Sequence, residues 1–442
     1  MSNPLLDPGL GHRCECGPGA TSRRAFLGGS LGSLLGALLA PRWPLAFARP
    51  LEAAAGAAPA GPARSVIVLW LAGGPSHVDS FDPKPKSPSG GPFRAIRTAA
   101  PGVELAEHLP RTAAIADRLA FLRSLTSNEG NHLRARYFVQ TGYKPQGALR
   151  HPAFGSVVAE LLGDPAAALP AFVAVRGPSA GAGFLGPAYA PFHIGDPGLP
   201  VRNLAPAEGV DAARFERRLE LLEAVEAPFA ARHDRRPVVG GIRDVRRSAV
   251  ALMRSPQAKV FDLSSEPQAL RDAYGWNDFG QGCLLARRLV EEGVRCVEVT
   301  QSGWDTHQDN FTKSRQLLSV FDPAFATLVS DLGSRDLLRS TIVVAMGEFG
   351  RTPKINTLDG RDHHPRAFSA VLAGSGLRKG VVVGATDEIG SEIVADPATV
   401  PDLIATLCAR LDIDAGFEHR TPQGRPIKVV DNGRPIRGLL AT

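Results

Sequence analysis

A chain of 442 residues with 44% apolar and 21% charged residues carries enough apolar material for a large buried core, which excludes a disordered, collagen-like or membrane-embedded protein. The formal charge of +6 falls to about +4 once residues 1–48 are set aside, because they hold four arginines against Asp7 and Glu15. No Lys/Arg-rich run follows, so nucleic acid is not an expected partner.

The first element is a leader. Ser22-Arg23-Arg24-Ala25-Phe26-Leu27 precedes a short apolar stretch that ends near Ala40, and Ala46-Phe47-Ala48 offers a small-residue cleavage site. The adjacent arginines before Phe-Leu match a twin-arginine signal, an address read by the twin-arginine translocase. Glycines 28, 29, 32 and 36 make the apolar stretch too short and too weak for a stable membrane span after cleavage. Residues 1–48 are therefore expected to direct export of an already folded protein to the periplasm or beyond. The Ala/Pro/Gly-rich residues 49–64 read as a flexible linker. Beyond the leader only Cys283, Cys296 and Cys408 remain, an odd number without metal-ligand spacing, so they are expected as buried free thiols.

Ser65–Leu71 is an unbroken apolar run that ends in Gly73-Gly74-Pro75, a buried strand feeding a turn. Asn131 opens a helix that closes at Thr141-Gly142, with His132 and Arg136 on one face. Phe172–Arg176 is a short strand, and residues 206–274 read as a charged helical insertion. From there the pattern alternates: a helix over Gly280–Glu292, a strand over Val294–Thr300, a helix near Gln316–Leu332, then strands at Thr341–Met346, Phe368–Leu372 and Val381–Val383. Such alternation predicts an α/β domain over residues 65–442, with a mostly parallel central sheet and helices on both faces.

Chemistry in parallel sheets gathers beyond the carboxyl ends of the strands. There the sequence places GGPSHVDSFDPKP with Asp79 and Asp82, QSGWDTH with Asp305 and His307, and GEFGRTP with Glu348 and Arg351. GRDHHP, with His363 and His364, leads into the next strand. Carboxylates and imidazoles without thiolates suit a hard or borderline divalent cation, Zn²⁺ or Mn²⁺ before Ca²⁺. Asp79, Asp305, His307, Glu348, His363 and His364 are the candidate ligands. The free N–H groups at the start of the 131–141 helix suit an oxyanion. Arg136 and Arg351 would neutralise negative charge, and His132 is open to a role as nucleophile, general acid or ligand. Ser124, Thr126 and Ser127 are nearby hydroxyls.

Together GGPSHVDSFDPKP, GQGCLLARRLVEEGVRCV, GWDTH, GEFGRTP and GRDHHP resemble domain of unknown function 1501, a twin-arginine-exported bacterial family of the alkaline phosphatase–sulfatase superfamily. The resemblance spans nearly the whole mature chain. It implies an alkaline phosphatase/sulfatase-like fold and a metal-dependent hydrolase of a small phosphate or sulfate ester. Asp305 and His307 look like the superfamily's Asp–His pair, Glu348 begins its second acidic pair, and His363 or His364 resembles its late histidine. His132 and Arg136 take the places of a cysteine and an arginine that sulfatases carry before the Thr-Gly helix end. The formylglycine-forming cysteine is absent, and Gly73-Gly74 stands where the superfamily has its first Asp, which leaves Asp79 or Asp82 as a displaced substitute. These departures keep a second expectation open, a non-catalytic anion- or glycan-binding protein on the same fold.

Export is expected to depend on the arginine pair. In fractionated cells, Arg23→Lys/Arg24→Lys should leave folded precursor in the cytoplasm; normal accumulation of that double variant outside it would end the twin-arginine reading.

Overall fold

Strand formation follows the apolar runs. In the computed structural model, which describes residues 61–233 and 237–441, β1 (Ser65–Ala72) lies near the middle of a nine-stranded sheet. The remaining strands of that sheet and of one adjoining hairpin are β2 (Ala120–Thr126), β3 (Phe172–Val175), β4 (Phe192–Ile194), β5 (Cys296–Ser302), β6 (Thr341–Met346), β7 (Gly350–Arg351), β8 (His363–His364), β9 (Phe368–Gly374), β10 (Val381–Val383) and β11 (Ala398–Thr399). The sheet order is β10-β2-β9-β6-β1-β5-β3-β4, with β11 also paired to β2, while β7 and β8 form the small antiparallel hairpin.

β1 pairs in parallel with both β5 and β6, in a register that sets Val66 beside Cys296 and Ile342. β9 alone in the main sheet runs antiparallel, against β6 and β2. Two reversals restore direction, so β2 runs with β1, β5 and β6. The carboxyl ends of β1, β2, β5 and β6 and the beginning of β9 consequently share one edge. That polarity places the site.

Alternation along β1 builds two cores. Ile67, Leu69 and Leu71 face α7 (Asp278–Glu291) and α8 (Asn310–Ser334), where Leu284, Phe321 and Phe325 are fully buried. Val66, Trp70 and Ala72 face the opposite layer, α2 (His132–Thr141), α3 (Phe154–Leu162) and α9 (Val400–Arg410). Each fully buried Leu or Phe contributes roughly 1.5–3 kcal/mol of transfer free energy. The expected mostly parallel α/β sheet with helices over both faces is thus what the chain adopts. Cys283, Cys296 and Cys408 sit in α7, β5 and α9 as free, buried thiols.

Residues 206–274 hold two longer helices, α4 (Ala212–His233) and α5 (Pro237–Arg254), and the short α6 (Gln268–Tyr274). The leader and the linker as far as residue 60 lie outside the described residues. The end of the linker is tied down: Ala63 is buried and its N–H donates to the Arg410 carbonyl, while Arg64 N–H donates to Ser340.

β2 is a strand that the sequence pattern does not predict, because Arg123 interrupts its apolar run. Arg123 Nη1 lies 3.3 Å from Asp82 Oδ1 and Nη2 donates to the Glu104 carbonyl, so the charge is compensated inside the fold. Ser124 is buried in the same strand and donates to the Asp396 carbonyl, which removes it as a nucleophile.

One carboxylate is buried in an apolar setting. Glu298 of β5 borders a cavity of about 30 Å³ between the sheet and α2, α3 and α9, beside Trp70, whose Nε1 has no partner among the described residues. Burial pushes Glu298 up from 4.5 to about 7, against a smaller lowering by the Ser179 hydroxyl. The folded protein therefore holds a proton that the unfolded chain has already released. Stability from this group is present below pH 4.5 and is lost as pH rises through 7, by about 3 kcal/mol. Denaturant titrations should show that slope in the wild type and its absence in Glu298→Gln; parallel pH profiles would contradict the assignment.

Candidate functional site

Three loops and one helix start meet at the shared edge. β1 leads into Gly73-Gly74, β5 into Asp305 and His307, and β6 into Glu348, while His132 opens α2 after β2. Gly73 has φ +118°, and a Cβ there would collide with the backbone of Asp305, so glycine is what lets the β1 and β5 ends approach. The Gly73 N–H donates to Glu348 at 3.0 Å.

Asp305, His307 and His363 form the centre. His307 Nε2 lies 3.0 Å from His363 Nε2, and Asp305 Oδ1 lies 3.2 Å from the first and 3.3 Å from the second. Proton positions follow from the other ring nitrogens. His363 Nδ1–H donates to the Gly130 carbonyl at 2.8 Å, and His307 Nδ1–H donates to the Asp362 carboxylate at 2.8 Å. In the neutral rings both Nε2 atoms then present lone pairs to each other and to a carboxylate. That arrangement is repulsive unless a proton or a metal cation sits among them. Zinc bonds of about 2.0–2.1 Å set tetrahedral donors roughly 3.3 Å apart, which matches this triangle. The residues therefore fit a small divalent ion.

His132 adds a third such ring. Its Nδ1–H donates to Glu348 Oε1 at 2.7 Å, and its Nε2 lies 3.3 Å from Asp305 Oδ2, buried and without an aligned hydrogen bond. Donor atoms of His132, Asp305 and His363 all fall within 4.8 Å of one another. The Phe349 ring packs against both His132 and His363, with centroids at 4.9 and 4.5 Å. The cluster is open to solvent, with the Asp305 side chain 48% exposed.

Electrostatics favour the ligand form of Asp305 and His363 but the protonated form of His132. Burial alone would raise Asp305, but the Arg351 hydrogen bond and charge, with the charge of His132, hold it down at about 2. Burial lowers His363, and the charges of Arg351 and His132 add to this against the Gly130 hydrogen bond. The Glu348 hydrogen bond raises His132, opposed by burial.

Several expectations are corrected. Asp79 is not a ligand: it is fully buried, accepts from Arg361 Nε and Nη2 at 2.7 and 2.9 Å, and takes Asn310 Nδ2 at 2.7 Å. His364 turns away because neighbours in a strand face opposite sides; its Nε2–H donates to the Ser391 carbonyl, and its ring stacks over His77. Glu348, fully buried, stands behind His132 and orients it. Arg351 is also fully buried. It donates to the Gly73, Gly74 and Arg361 carbonyls and, at 2.6 Å, to Asp305 Oδ1, so it positions Asp305 rather than meeting a substrate. The start of α2 offers no free N–H cradle, since Asn131 Oδ1 already accepts from Leu133 and Arg134.

Arg136, one turn beyond His132, is half-buried, with an Nε that has no partner among the described residues. Phe349 and the Gly130 carbonyl were not among the sequence candidates, whereas Asp362 stood with Arg361, His363 and His364 in the GRDHHP loop.

Residues 63–440 match the family described as Protein of unknown function (DUF1501). The chain belongs to this family. Membership bears out the family that the motifs resemble. Solved structures with partial similarity include the PsFucS1 sulfatase from Pseudoalteromonas sp. (13% identity, 85% of this chain and 74% of that one, TM-score 0.40). The lipoteichoic acid synthase LtaP from Listeria monocytogenes gives 8%, 86%, 77% and 0.40, and the phosphonate monoester hydrolase of Agrobacterium radiobacter 12%, 86%, 77% and 0.31. No curated protein matches the chain.

In this family member the Asp79–Arg361 pair is a buried clamp, and breaking one such partner costs about 3–5 kcal/mol. Asp79→Asn should lower the unfolding free energy by that amount in chemical denaturation. A loss under about 1 kcal/mol, well short of the buried-pair figure, would show that the pair is not the clamp described.

Proposed function

We propose that this protein is an exported, metal-dependent hydrolase of a phosphate or sulfate ester. The observation that carries the reading is the solvent-facing triangle of Asp305, His307 and His363. Two nitrogens and one oxygen favour Zn²⁺ or Mn²⁺ over Ca²⁺. When bound, such an ion supplies Lewis-acid polarisation and a water of lowered pKa.

The chain's own residues do the rest. Arg351 holds the Asp305 carboxylate in place from behind. Asp362 and the Gly130 carbonyl fix the tautomers of His307 and His363, leaving Nε2 of each as the donor. Glu348 fixes His132 so that its Nε2 faces Asp305, where it exchanges a proton with the reacting group. Arg136 offers its charge to the anionic part of the ester. The ester class rests on the motif resemblance and on Arg136, one turn beyond His132, whose Nε has no partner among the described residues. Export by the twin-arginine translocase to the periplasm or the exterior is supported by the Arg23-Arg24 leader.

A second reading, a non-catalytic anion- or glycan-binding protein, is favoured by one observation. His132 Nε2 is itself within ligand reach and would close the site as a fourth donor. The two readings separate by experiment. Elemental analysis should find a bound divalent ion in the purified mature chain, lost in Asp305→Ala, His307→Ala and His363→Ala and kept in His364→Ala. His132→Ala should keep the ion and lose about 10²–10⁴ in turnover of aryl phosphate or aryl sulfate esters. Loss of the ion in His132→Ala, as complete as in Asp305→Ala, would mark a closed four-ligand site and remove the hydrolase reading.

A further inference from the structure

The helical insertion carries a surface that the site does not use. α4 is 22 residues long, yet Ala230 is its only buried residue. A helix so exposed should be polar all round. Instead Leu221 is 65% exposed, Val225 68%, Phe229 50% and Leu222 37%. Their spacing of 1, 3 and 4 residues puts all four on one stripe.

The charges of α4 are sorted about that stripe. Arg214, Arg218 and Arg232 continue it at helical spacing, two before the apolar patch and one after, and all three are exposed. Glu216, Glu220, Glu223 and Glu226 lie off it. Two of these acids are consumed within the hairpin: Glu216 pairs with Arg254 and Glu226 with Arg246, both on α5. Packing against α5 therefore neutralises part of the acidic side and leaves an outward stripe that is apolar in the middle and basic at both ends.

We infer that α4 docks on an anionic phospholipid surface. Apolar side chains in the centre of a helix with arginines flanking them is the pattern of a helix that lies in the headgroup plane. The apolar groups enter the acyl boundary while the guanidinium groups meet lipid phosphates. A second copy of α4 fits less well, because the stripe would bring arginine to arginine with no carboxylate between them. No described helix is long and apolar enough to cross a membrane, so the contact is peripheral. The inference does not depend on the hydrolase reading.

Vesicle sedimentation of the full chain tests it. Samples are the wild type, Arg214→Glu/Arg218→Glu and Val225→Ser/Phe229→Ser, with phosphatidylglycerol–phosphatidylcholine vesicles and with phosphatidylcholine alone. The N-terminal segment is present in every sample, so differences report on α4. The wild type should favour anionic vesicles, less so at high salt. The charge reversal should cut the anionic-to-neutral ratio by about thirtyfold or more, near fivefold for each arginine lost. The serine pair should weaken binding to anionic vesicles about tenfold or more. Unchanged thermal midpoints would show that both variants fold, as expected for exposed positions. Equal ratios for wild type and variants would overturn the proposal. So would a wild type that ignores vesicles but forms a dimer that the serine pair abolishes, since a second copy would then cover the stripe.

Discussion

Arg361 is the side chain on which the site edge depends. Buried completely, it holds Asp79 through two nitrogens, donates to the Ser89, Thr352 and Pro353 carbonyls, and sends its backbone N–H to Thr306. One residue thus ties three loops: its guanidinium joins the loop after β1 to the loop that delivers His363, and its backbone N–H joins the loop carrying Asp305 and His307. The 352–362 segment is joined to the His307 loop by further bonds, Asn356 Nδ2 to the His307 carbonyl and the Asp309 and Asn310 N–H groups to the Leu358 and Asp359 carbonyls, and Arg361 adds the link to the β1 side. With these links, the two imidazoles are held tilted at 50° to each other, with their Nε2 atoms 3.0 Å apart. A buried ion pair is poor evidence for stability in general, but here its value is geometric.

The same economy recurs around it. Arg351 satisfies three backbone carbonyls and still reaches Asp305, and Glu348 satisfies Gly73 N–H while orienting His132. Groups that look catalytic by type are spent on holding others still. Asp305 and His132 owe their aim to the fully buried Arg351 and Glu348, whereas the Asp362 that orients His307 is itself exposed.

Much of this was legible in the sequence and some was not. The apolar runs of β1, before Gly-Gly, and of β6, before Gly-Glu, and the helix–strand alternation at β5, before Asp-Thr-His, disclosed these strands, and their parallel direction disclosed where Asp305 and His307 would meet. β2 stayed hidden because Arg123 looks like a surface residue until Asp82 is placed beside it. Whether a carboxylate serves as ligand or as strut depends on a partner far along the chain. Asp79 and Arg361 are 282 residues apart, and nothing local distinguishes Asp79 from Asp305. The choice between His363 and His364 required the β7–β8 hairpin, since only pairing to Gly350-Arg351 says which face each ring takes. Glu298 and the stripe on α4 show the converse case. Their residue types were plain, but their surroundings, apolar in one case and solvent in the other, became visible only in the fold.

The hydrogen bond from His363 to Gly130 spans 233 residues, and that between His132 and Glu348 spans 216. Such separations make the donor cluster a late product of chain organisation. Loop closure over distances of this kind occurs only after the intervening strands have paired. A nascent or partly assembled chain would hold scattered imidazoles with no preference for any ion. On the proposed metal-site reading, the choice of ion would be made once, by a finished cavity, in whichever compartment the sheet completes. On the proposed twin-arginine route, in which the chain folds before translocation, the cytoplasmic ion pool would select the occupant, whatever ions abound beyond the membrane.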